Sequence, residues 1–86
     1  MDEIPKLRKK VDKIDDQILF TLCERAKICK AIGDAKKKQG MPVRDILREN
    51  ELYRRIKQKG AQLGLDSSQV EAVYREIVNM CSAVQE

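Results

Sequence analysis

The chain has 86 residues, of which 37% are charged and 3% aromatic, with four glycines, two prolines and a net charge of +4. That length holds one domain, residues 1–86, around one modest core, and so few aromatic and turn residues favour long solvated helices over a β fold. The mild positive charge suits an anionic partner without specifying nucleic acid.

The first element is a long helix. Ile4, Leu7, Val11, Ile14, Ile18, Leu22, Cys29 and Ile32 recur at spacings of three and four, the period of one helical face. Nothing interrupts them before Gly40 and Pro42, a C-terminal cap and a stop. A helix from Ile4 to Gln39 measures about 50 Å. A compact domain of this length has a radius of gyration near 12 Å, or roughly 30 Å across. One chain cannot cover such a helix, so a homodimer with paired first helices is expected.

Met41 to Arg44 form a short loop. Asp45 caps a second helix that carries Leu52, Ile56 and Leu63 on one face and ends between Gly60 and Gly64. Asp66 opens a third helix, and its Asp-x-x-Gln pattern with Gln69 resembles a capping box. Val70, Val73, Tyr74, Ile77, Val78, Cys81 and Val84 give that helix a broad apolar face. The expected architecture is all-α, with one long helix and two shorter ones.

Cys23, Cys29 and Cys81 contain no C-x-x-C pair, and histidine is absent. Neither a disulfide framework nor a metal site is expected, and no cofactor is implied. All three thiols read as small buried hydrophobes in a reducing cytoplasm. No apolar run reaches membrane-spanning length, and the opening MDEIPKLRKK lacks a signal-peptide core. A cytoplasmic protein without membrane association is the expectation.

Several polar residues break the apolar pattern. At 100° per residue Arg25 and Lys36 fall in mid-stripe on the first helix, about 16 Å apart along the axis and within about 20° in azimuth. An unpaired buried ion costs several kcal/mol, so something must neutralise them. Asp45, Arg48 and Glu49 at the start of the second helix and Gln85 at the end of the third can converge on them. Arg8 borders the same stripe but lies about 25 Å from Arg25 on a straight helix. It cannot share a small ligand with Arg25 of its own chain, but an antiparallel partner chain could bring its own Arg8 to this cluster. Two readings fit: interhelical salt bridging, with Asp45 and Glu49 neutralising two cations, or a pocket for a small dicarboxylate. Four cations against two carboxylates leave +2, and bidentate arginine–carboxylate pairs supply the geometry.

The motifs L-R-K-K-V-D-K-I-D at Leu7–Asp15, E-R at Glu24–Arg25, G-D-A-K at Gly33–Lys36 and P-V-R-D-I-L-R-E at Pro42–Glu49, completed by Gln85, resemble the all-helical (AroQ-class) chorismate mutases along essentially the whole chain. The resemblance implies an intertwined homodimeric bundle whose two active sites are each completed by the partner chain. It implies that Arg25 and the partner's Arg8 bind substrate carboxylates and that Arg48 engages a carboxylate. Glu49 would accept a hydrogen bond from the ring hydroxyl, with help from Asp45. Lys36 and Gln85 would donate to the ether oxygen, and the product would be prephenate, a precursor of phenylalanine and tyrosine. Many relatives carry serine where Cys81 stands, and a thiol is a weaker donor to substrate. An isochorismate pyruvate lyase of the same fold is the near alternative. A basic helical nucleic-acid-binding module would want exposed cations beside stacking aromatics, and a plain dimerisation bundle would leave Arg25 and Lys36 unexplained.

Overall fold

A computed structural model describes residues 2–85, which form three helices: α1 (Glu3–Gln39), α2 (Ile46–Gln62) and α3 (Ser67–Gln85). Each boundary has a local cause. Gly40 ends α1 in the left-handed region (φ 70°), where glycine carries no Cβ penalty. Asp45 is extended, and its Oδ1 accepts from the Arg48 backbone N–H at 3.1 Å, which satisfies one of the orphan donors of a helix start. Asp66 does the same for α3, accepting from the Gln69 N–H at 3.0 Å.

The packing is open. α3 lies against both other helices, whereas α1 and α2 make no backbone approach to each other among the described residues. The buried core is Leu52, Tyr53 and Ile56 of α2 with Val78 of α3, and Val70 and Tyr74 pack against it. At about 1.5–3 kcal/mol per buried side chain, this core ties α2 to α3. α1 buries only Gly33. There the two helices nearly touch: a Cβ added at Gly33 would lie 2.9 Å from the Gln85 Cα.

The N-terminal half of α1 projects beyond this core. Ile4, Leu7, Val11, Ile14 and Ile18 form its apolar stripe and are all exposed. The radius of gyration is 16.3 Å and the longest axis 59 Å, well above the compact expectation of about 12 Å for this length. The long helix cannot fold back, since α2 and α3 together span only part of it.

Three smaller expectations are corrected. Leu63 is 74% exposed, lying just past the last helical residue of α2 as its C-cap. Val73 and Val84 are exposed as well; α3 presents Val78 and Cys81 to the interior and leaves its flanks open. Of the thiols only Cys81 is buried, Cys29 being half-buried and Cys23 exposed.

Candidate active site

A cavity of about 270 Å³ opens where the three helices and the α1–α2 loop converge. From α1 it is lined by Arg25, Cys29, Ile32 and Lys36, and from the loop by Val43 and Asp45. Arg48, Glu49 and Leu52 come from α2, and Val78, Cys81, Ser82 and Gln85 from α3. Its volume is just below the range of about 300–1,000 Å³ usual for ligand sites, which suits a compact metabolite. Every residue singled out from sequence therefore lines one cavity, except Arg8. Arg8 is exposed on the projecting part of α1, as its separation from Arg25 requires.

Arg25 is half-buried, and its partners are sulfur atoms: Nη1 lies 2.8 Å from the Cys81 Sγ and 3.7 Å from the Cys29 Sγ. A thiol is a weak acceptor and guanidinium carries five N–H donors, so this cation is under-satisfied as it stands. Burial pushes the Cys29 thiol up, and the neighbouring Cys81 adds to the effect while Arg25 opposes it. Cys29 therefore stays neutral at ordinary pH and cannot neutralise Arg25. A carboxylate would bond this guanidinium far more strongly.

Lys36, one turn before the end of α1, donates from Nζ to the Val43 carbonyl at 2.6 Å. That uses one of its three donors and holds the ammonium at the cavity wall. Gln85 reaches the same region from α3, and its Cα, Cβ and Cγ pack against Gly33 one turn before Lys36. The glycine of the G-D-A-K segment thus lets the end of α3 come close enough for Gln85 to line the cavity.

Arg48 lines the cavity, but its Nη1 makes a 3.3 Å pair with Glu51 in which both side chains are more than half exposed. Such a pair contributes about 0–1 kcal/mol and yields easily to a better anion. Glu49 is held differently. Arg44 takes both of its oxygens, Nη2 to Oε1 at 2.6 Å and Nε to Oε2 at 2.8 Å. The hydrogen bonds from Arg44 hold the Glu49 carboxyl below the usual carboxylate range; Arg75 pulls the same way, while partial burial and Asp45 oppose.

The salt-bridge reading is corrected here. Glu49 pairs with Arg44 rather than with Arg25, Lys36 or Arg48, and the Asp45 carboxylate serves as a helix cap. Among the described residues neither Arg25 nor Lys36 has a carboxylate within ion-pair distance. Of the charged groups that line the cavity, three cations, Arg25, Lys36 and Arg48, against two carboxylates, Asp45 and Glu49, leave +1 before any contribution from Arg8. Sequence reasoning missed Arg44 because it precedes the helix and meets Glu49 at a spacing of five, which is not a helical period. Its place in the P-V-R-D segment was the one available signal. Among the described residues no group of three or more His, Cys, Asp or Glu could hold a metal ion, and no helix is long and apolar enough to cross a membrane.

The profile of the chorismate mutase type II family matches residues 7–86. A bifunctional chorismate mutase/prephenate dehydratase of Aquifex aeolicus is 36% identical over 99% of the chain, which spans 24% of that protein. A chorismate mutase of Methanocaldococcus jannaschii is 27% identical over 99% of the chain and 86% of its own length. A conserved hypothetical protein of Pyrococcus furiosus superposes with a TM-score of 0.83 at 31% identity, covering 100% of this chain and 99% of that one. With a family match over nearly its whole length, and Val43, Asp45, Arg48 and Glu49 of the P-V-R-D-I-L-R-E segment lining the cavity, the chain belongs to the type II chorismate mutases.

Proposed function

We propose that the cavity binds chorismate and catalyses its [3,3] rearrangement to prephenate in the cytoplasm, on the route to phenylalanine and tyrosine. The observation that carries this reading is the pair of half-buried cations, Arg25 and Lys36, without carboxylate partners among the described residues, facing Gln85 across a small cavity. The reaction is intramolecular: one carbon–oxygen bond breaks as one carbon–carbon bond forms, with no proton transferred and no nucleophile required. A protein can accelerate it by holding the substrate in a compact conformer and by aiming donors at the oxygen where negative charge develops.

The roles follow from chemistry and position. Arg25 exchanges its thiol partners for a substrate carboxylate, and Arg48 leaves Glu51 to bind a carboxylate as well. Glu49, ionised beside Arg44, accepts from the ring hydroxyl, with Asp45 adjacent. Lys36 and Gln85 donate to the ether oxygen. Cys81 lies against Arg25 and contacts substrate mainly as a soft wall. The bare stripe of α1 and its length support a homodimer in which α1 pairs with its copy, and the partner's Arg8 then completes the set of cations. Incubation with chorismate tests the reading directly. Prephenate as the product supports it; release of pyruvate would identify a lyase, and unchanged chorismate would reject both.

A further inference from the structure

Three consecutive residues between α1 and α2 each tether a different cavity group. The Val43 carbonyl accepts from Lys36, Arg44 clamps Glu49, and Asp45 accepts from the backbone of Arg48. Two of these tethers use groups that themselves line the cavity. Arg44 does not line it and reaches the cavity through Glu49, whose carboxylate it clamps. We propose that Arg44 is a positioning residue, whose guanidinium fixes the Glu49 carboxylate as an oriented hydrogen-bond acceptor for the substrate hydroxyl. This rests on the mutase reading, in which Glu49 has a hydroxyl to meet.

A carboxylate taken by both oxygens in one guanidinium fork has its plane fixed as well as its charge. Each oxygen has a second lone pair after accepting from Arg44, so Glu49 can still receive a hydroxyl from the cavity side. The side chain of Glu49 is 15% exposed and that of Arg44 45%, so the clamp approaches from the solvent side and leaves the inner side open. Lysine could supply the charge but not the fork.

Glu49 also feels other groups. Asp45, the cap of α2, and Arg48 within it lie close by in sequence, Arg75 reaches it from α3, and Arg25 and Lys36 share the cavity from α1. Arg44 is the strongest influence holding the carboxyl down. A depressed carboxyl loses its charge only as pH falls through its lowered value, so removing Arg44 moves that loss to higher pH.

The test compares wild type with Arg44→Ala and Arg44→Lys. In R44A, kcat/KM is expected to fall about 10–100-fold, in line with the cost of about 1 Å of misplacement, and its acid limb to move to higher pH. R44K should keep the acid limb near wild type while recovering only part of the rate, a split that a purely structural role would not produce. Titration of the ¹³C-labelled Glu49 carboxyl by NMR reads the same coupling without turnover. Identical Glu49 titrations in wild type and R44A, or R44A activity within about twofold of wild type, would overturn the role. A wild-type chain that leaves chorismate unchanged would reject the mutase reading instead, while the NMR titration still decides whether Arg44 holds Glu49.

Discussion

Gly33→Ala tests whether the last turn of α3 must lie where it does. An added Cβ would meet the Gln85 Cβ at 2.8 Å and its Cα and Cγ at 2.9 Å, whereas relaxed carbon contacts lie at about 3.5–4.0 Å. Relief requires about 0.6–1 Å of separation between the helices, because one of the opposing atoms is backbone and cannot swing aside. Alanine is better than glycine in a helix by about 1 kcal/mol, and overpacking costs about 1–3 kcal/mol. The balance is a destabilisation of about 0–2 kcal/mol, which a folded protein can tolerate. Activity should suffer more, since Gln85 would move by the same distance: a loss of about 10²-fold in turnover is expected. Denaturant unfolding and a chorismate-consumption assay on the same preparation separate the two effects. Wild-type turnover in a folded Gly33→Ala protein would refute both the close approach and the role given to Gln85.

Lys36→Ala removes a donor aimed at the developing charge and should lower turnover by about 10²–10³-fold; near-normal steady-state rates would reject that role. Activity should be nearly flat from about pH 5 to 8, because histidine is absent and the Gln85 amide does not titrate. The fall on the acid side should come only below the ordinary carboxylate range, as Glu49 protonates through its lowered pKa. A steep rise of rate toward acid would instead mean that a carboxyl donates to the ether oxygen. Mixing inactive Arg8→Ala and Arg25→Ala chains should restore about a quarter of the wild-type sites if subunits exchange at random into dimers with shared sites. No recovery after demonstrated exchange would contradict a contribution from the partner's Arg8.

Local chemistry made the helix limits legible. The Asp45 and Asp66 caps and the Gly40 stop act within one turn of themselves, so their effect hardly depends on the rest of the fold. The same holds for Arg25 and Lys36, which stand out because helical period alone puts a charge where an apolar side chain belongs. Arg8 could be separated from them by axial rise, and the structure leaves it far out on α1. Three features depended on tertiary structure. Gly33 could be noticed in its motif, but only the register of α1 against α3 reveals that its missing Cβ makes room for Gln85. The Arg44–Glu49 clamp crosses from a loop to a helix at a spacing with no periodic signature. The sulfur partners of Arg25 come from two helices, one of them 56 residues away along the chain. The sequence by itself determined the helices and the misplaced cations, because both are consequences of a single chain's periodicity. Tertiary structure decided which anion holds which cation, because ion pairing depends on distances between elements that no local pattern encodes.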